Sequence, residues 1–138
     1  GQPITEENIK AVLAELKEKY PDGMEWGKDT SYSSPTMPDG WSNACAGFAG
    51  MISDEIFGTD PQVNPYYEHR DFDKLKVGDI VVSIDSSNNH ASVVTEIDST
   101  GLFFRDCSGN VSGKVSWRGL GEFQSYENDT ESYILSRY

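Results

Sequence analysis

The chain is short of several residue types. Its 138 residues include only two cysteines and two histidines, and 11 Lys and Arg stand against 23 Asp and Glu, for a formal net charge of −12 at pH 7. Two Cys and two His without paired short spacings exclude the ordinary zinc motifs, and no metal or other cofactor is expected. So few basic residues argue against a nucleic-acid partner, because phosphate binding needs clustered Lys and Arg. The one basic cluster, Lys10 to Lys19, is interleaved with glutamates and reads as the solvated face of a helix. No apolar run approaches the about 20 residues that a bilayer span needs, so no membrane insertion is expected. Gly1 opens no signal-peptide pattern, a start at glycine leaves the address undecided, and two cysteines are too few to indicate a redox compartment.

What is present suffices for a packed core. Hydrophobic residues make up 36% and aromatics 12%, with no internal repeat. A chain of this length buries about two-thirds of the surface its unfolded form exposes, so one domain over residues 1–138, as a monomer, is expected.

Ile9, Val12, Leu13, Leu16 and Tyr20 share one helical face, with Thr5 as N-cap, Ile4 and Ile9 as a staple, and Pro21-Asp22-Gly23 as the stop. Residues 24–41 show no period but carry Trp26, Tyr32 and Trp41 among glycines and prolines. This is a long loop of the kind that either carries function or covers a core. A second helix is predicted from Asn43 to Phe57, ended by Gly58, with Cys45, Phe48, Ala49, Ile52 and Ile56 facing inward. Residues 61–73 read as loop. Strands are predicted over 80–84, 90–97 and 102–107, with further ones over 114–117 and 132–137, and a polar loop over 85–89. The order gives an α+β fold, helices followed by an antiparallel meander.

Cys45 begins the second helix, a position that suits a buried small hydrophobe, half of a disulfide, or a nucleophile. At a helix N-terminus the unpaired N–H groups favour thiolate and can hold a developing oxyanion. A nucleophilic thiol wants an imidazole and a polar group that orients it. His69 sits in the charged stretch Tyr66 to Asp71 and reads as solvated; His90 opens a strand after a polar loop, on rigid backbone that can face a cleft.

The hairpin supplies a candidate orienter. Asp98-Ser99-Thr100-Gly101 suits a type I turn followed by a left-handed glycine, a three-residue loop that pairs Asp98 with Leu102. His90 then lies opposite Asn110, Ser92 opposite Ser108, and Val94 opposite Asp106. Asp106 is four residues from the cross-strand partner of His90, roughly 13 Å at strand rise, so Asn110 is the preferred orienter and Asp106 the runner-up. A two-residue turn puts Cys107 and Gly109 on the histidine face instead. With the glycine turn Cys107 points away from His90, so two unbridged thiols are expected rather than a Cys45–Cys107 disulfide.

In this order, Cys45, His90 and a polar residue on the next strand, the chain resembles the papain-like superfamily in its CHAP form, the cysteine- and histidine-dependent amidohydrolase/peptidases of bacterial walls and surfaces. The likeness is to bacterial secreted domains and covers most of the chain: "YPDGMEWGKD" (Tyr20 to Asp29), "CAGFAGMISDEIFG" (Cys45 to Gly58), "LKVGDIV" (Leu75 to Val81), "HASVV" (His90 to Val94), "GNVSGKVSW" (Gly109 to Trp117) and "YIL" (Tyr133 to Leu135). It implies a papain-like fold with N-terminal helices on an antiparallel sheet, a thiol nucleophile at Cys45, a general base at His90 and a third residue on the following strand. It also implies a peptide or peptidoglycan-like substrate and a secreted or cell-surface address. Relatives show "EGN" where this chain has Ser108-Gly109-Asn110. Either Ser108 replaces the family acid and Asn110 keeps its place, or Asp106 supplies the acid after a two-residue shift. Amide hydrolysis through Cys45, His90 and Asn110 or Asp106 is the expected activity, and a surface-binding or adhesion module without turnover is the alternative.

Overall fold

Thr5 accepts a hydrogen bond from Asn8 N at 3.2 Å and caps α1 (Glu6–Lys19), which carries Glu6 and Glu7 in its first turn and Lys17 and Lys19 in its last. These charges complement the helix dipole. Ile9, Leu13 and Leu16 are its buried stripe. The second helix, α2 (Ala44–Phe57), starts one residue later than predicted and stops at Gly58, whose φ of +91° is open to glycine. It is buried along most of its length, because the loop over residues 24–43 also packs on it: a Cβ on Gly50 would sit 3.2 Å from Ser34 Cβ and 3.4 Å from both Met37 Cγ and Trp41 Cδ1.

The computed structural model describes residues 4–84 and 89–138. Among them the fold is α+β, with three α-helices and one six-stranded antiparallel sheet. After α2 come β1 (Tyr67–His69), a 3-10 turn (Phe72–Lys74), β2 (Ile80–Ile84), β3 (Asn89–Ile97), β4 (Phe103–Val111), β5 (Lys114–Glu122), α3 (Phe123–Asn128) and β6 (Tyr133–Ser136). Strands β2 to β5 form the expected meander, β6 returns beside β2, and β1 forms the far edge. Residues 85–88 of the predicted polar loop lie outside the described residues. Among the described residues no helix is long and apolar enough to cross a membrane.

The sheet separates two apolar layers. Val82, Ala91, Val93, Cys107, Val115, Trp117 and Leu135 pack with α1 and α2; Val81, Val94, Phe104 and Ile134 pack with Phe72, Leu75 and the half-buried Phe123 and Tyr126 of α3. Each large side chain so buried contributes about 1.5–3 kcal/mol. A buried ion pair ties the first layer together. Arg137 Nη1 lies 3.1 Å from Asp54 Oδ1, and Asp54 also accepts from Thr36 Oγ1 and, at 2.9 Å, from the Tyr32 hydroxyl.

Four elements depart from the sequence reading. Residues 61–73, expected as loop, hold β1 and the 3-10 turn; three residues on a sheet edge are too few to show alternation. α3 was not expected, since six residues give no helical period. β5 runs on through Gly119 and Gly121, residues that ordinarily weaken a strand. Side chains are excluded there: a Cβ on Gly119 would strike the Asp106 carboxylate, and one on Gly121 would strike the Phe104 ring.

The β3–β4 hairpin keeps the predicted glycine turn, with Gly101 at φ +73° donating to Asp98 O at 2.9 Å. Asp98 N, however, donates to Phe103 O at 3.0 Å, so the loop holds one residue more than expected. A bulge at Thr95, between the pairs Val94–Asp106 and Glu96–Arg105, adds one residue to the opposite strand. The two insertions cancel, and Val93–Cys107 and Val94–Asp106 take the register the sequence count predicts. The β4–β5 turn is Ser112-Gly113, both left-handed at φ +53° and +79°, as a two-residue I′ turn requires.

Candidate active site

Ala44, the residue before Cys45, has φ +55°. A left-handed non-glycine residue costs about 1–3 kcal/mol and persists only where its surroundings impose it. Here both of its backbone polar groups are tied: Ala44 N donates to Thr30 O at 2.9 Å, and Ala44 O accepts from Trp26 Nε1 at 2.8 Å. Trp26 in turn donates its N–H to Gly113 O at 3.0 Å and accepts from Asn110 N at 2.8 Å. Trp26 therefore fastens the first turn of α2, through its indole, to the end of β4, through its backbone. Gly109 lies beneath it, where a Cβ would stand 2.8 Å from Phe48 Cβ and 2.9 Å from Trp26 Nε1. Residues flanking Trp26 line a cavity of about 420 Å³, formed by Glu25, Gly27, Lys28, Asp29, Thr30 and Gly113.

Cys45 is partly buried in the first turn of α2 and packs against the core of that layer. Cys107 is fully buried on β4, where desolvation pushes its thiol well above the ordinary range, and no disulfide joins the two.

His90 is the second residue of β3 and pairs with Ser83. Burial lowers its pKa. Val82–Ala91 and Ile80–Val93, the neighbouring pairs, face α2, so alternation turns His90 with Ser92 and Val94 toward the other layer. Cys45 belongs to the α2 layer. Thiol and imidazole thus belong to different layers of the sheet.

Asn110 is exposed and left-handed, at φ +58°, a conformation asparagine tolerates. Its backbone N–H, through Trp26, places it at the Cys45 end of the sheet. Asp106 is elsewhere: opposite Val94, against Gly119, on the layer away from α2. Burial raises its carboxyl to about 6, opposed in part by Ser92, whose hydroxyl lies nearby short of standard hydrogen-bond geometry. Ser108, at the family acid position, is buried and paired with Ser116. His69 lies on the edge strand β1, stacked on Tyr67 with ring centroids 5.5 Å apart, its Nδ1 accepting from Asp71 N. Among the described residues no three His, Cys, Asp or Glu side chains are grouped to hold a metal ion.

The sequence reading missed Trp26 as the residue that positions the thiol. Its only signal is an aromatic in a polar, glycine-bearing loop; the strain at Ala44 leaves no sequence trace.

The sequence matches no protein-family model and no curated protein. Two solved structures are similar in fold. One is the crystal structure of Ly7917, with a TM-score of 0.50 and 16% identity over 95% of this chain and 62% of that one. The other is Ly7917 with the hydrolyzing product of MDP, with a TM-score of 0.53 and 15% identity over 97% of this chain and 63% of that one. The chain thus spans less than two-thirds of the length of these neighbours.

Proposed function

We propose that the chain is a papain-like, CHAP-type cysteine amidohydrolase or peptidase acting on a peptide, with cell-wall peptide as the substrate class and a secreted or cell-surface site of action. The observation that carries this is the strained, doubly tied Ala44, which fixes Cys45 in the first turn of α2 beside the Asn110 end of β4. The fold likeness to Ly7917, crystallised with the hydrolyzing product of MDP, supports hydrolysis as the reaction class.

In this reading Cys45 Sγ loses its proton to His90 and attacks the amide carbonyl. The C–N bond breaks as His90 passes that proton to the leaving amine, and water then hydrolyses the thioester to release the acid and restore the thiol. Asn110 orients the imidazole. The reading requires His90 to reach Cys45 around the start of β3.

A surface-binding module without turnover is the second reading. It is favoured by the layer that His90 occupies and by a buried serine at the acid position. Iodoacetamide labelling at pH 7 with peptide mass mapping separates the two. An activated Cys45 is expected to react at least tenfold faster than a free-thiol peptide and to lose that advantage in His90→Ala, while buried Cys107 stays unlabelled. Labelling of Cys45 no faster than the peptide overturns the enzyme reading.

A further inference from the structure

Only 11 residues of this acidic chain are basic, yet four of them, Lys10, Lys17, Arg105 and Arg118, line one groove of about 620 Å³. Its floor is apolar, made by Leu13 and Ala14 of α1 and by Trp117 of β5. Lys10, Leu13, Ala14 and Lys17 follow one another at helical spacing and form one stripe of α1. Across the groove the bulged strand β3 presents Thr95 and Glu96, and Arg105 and Arg118 come from β4 and β5.

The charge balance inside the groove is reversed relative to the whole chain. Two carboxylates oppose the four cations: Glu96, cross-strand partner of Arg105, and Asp22, whose Oδ2 lies 3.5 Å from Arg118 Nε. Asp22 is also engaged by its other oxygen, which accepts from Trp117 N at 2.6 Å. Neither Lys10 nor Lys17 is in an ion pair among the described residues. By contrast, the cavity beside β1 sets Lys74 and Lys76 against Asp71 and Asp73, and Lys74 there is paired with Asp71 at 3.7 Å.

We infer that this groove binds an extended acidic peptide segment, at a site separate from Cys45. Two features select a peptide over a phosphate polymer. The floor of Leu13, Ala14 and Trp117 offers contact area that a uniformly charged chain does not use, whereas an apolar side chain between two acidic ones does. The spacing also fits: seven residues of helix set Lys10 and Lys17 about 10 Å apart, the length of three residues of extended chain. Carboxylates at positions i and i+3 of a polyproline II segment share a face about 9 Å apart and meet the two lysines, while an apolar side chain between them rests on the apolar floor. Arg105 and Arg118, whose planar guanidinium groups match carboxylate geometry, flank the same path.

The site lies at the turn end of the hairpin. Thr95 is five residues along β3 from His90, roughly 17 Å at strand rise, so binding here does not depend on the chemistry at Cys45.

The test is titration of the intact chain with acetyl-Glu-Ala-Leu-Glu-amide, followed by amide chemical shifts at low salt. Binding at least tenfold tighter than that of acetyl-Gln-Ala-Leu-Gln-amide is expected, with shifts centred on Ala14, Thr95 and Trp117. Lys10→Gln combined with Arg105→Gln should weaken it at least fivefold, while Lys74→Gln, outside the groove, should not. All three substitutions are at exposed positions, and an unchanged thermal midpoint shows that the variants fold. Equal affinity for the two peptides, insensitivity to the double substitution, or tighter binding of tripolyphosphate than of the acidic peptide overturns the proposal.

Discussion

Replacing Asp106 by asparagine is expected to stabilise the protein, by an amount that depends on pH. Asp106 is 6% exposed, with no cation paired to it among the described residues, and burial raises its pKa from 3.8 to about 6. A group whose folded-state pKa is raised binds more protons folded than unfolded between those values, so stability falls as pH rises from 3.8 through 6 and stays lowered above. A shift of about two units corresponds to at most about 3 kcal/mol at pH 8, about 1.5 at pH 5 and under about 1 at pH 4. Asparagine keeps the shape without the charge, and its amide can use the nearby Ser92 hydroxyl, which has no hydrogen-bond partner among the described residues. Buried Asp79, also raised to about 6, adds a slope of the same sign, and half-buried His90 adds one of opposite sign below pH 6.5. Both cancel in the difference between variant and parent. Urea unfolding of the two chains between pH 4 and 8 should therefore show a gap that widens with pH. At about 3 °C per kcal/mol for a chain of this size, the thermal midpoint of the variant should rise by up to about 10 °C at pH 8. A variant no more stable at pH 8, or a gap that does not change with pH, refutes the reasoning.

Arg137→Met leaves Asp54 buried without its cation and should cost about 3–5 kcal/mol, read from urea unfolding. Gly109→Ala drives a methyl into Phe48 and Trp26, so a loss of about 1–3 kcal/mol is expected, together with a changed Cys45 labelling rate as the start of α2 shifts. Trp26→Phe removes the donor to Ala44 O and should cost about 1–3 kcal/mol; the same labelling assay reports whether the first turn of α2 loosens.

The helices and the meander were legible because long amphipathic segments and β-rich runs carry their own period: α1, α2 and β2 lie within a residue or two of their predicted bounds. What was hidden depends on contacts between distant residues. Gly119 and Gly121 read as strand breakers until Asp106 and Phe104 are seen to occupy the space their side chains would fill. Cys45 was legible as the opening residue of a helix, and Asn110 as the residue expected opposite His90 in the hairpin. The route between them was not, since it runs through Trp26, nineteen positions away in sequence and in a stretch without a period. The face of His90 was read relative to its strand neighbours, but which layer that face meets is set by where α2 packs, and no local pattern states it.

The paired insertions in the β3–β4 hairpin act as a phase correction. One extra residue at the tip advances one strand, Thr95 advances the other, and the far end never registers the change. Were the bulge to close with Thr95 kept, every pair from Val94 back along β3 would slip by one residue and exchange inward for outward side chains, whereas deleting Thr95 removes the bulge and leaves Val94 opposite Asp106.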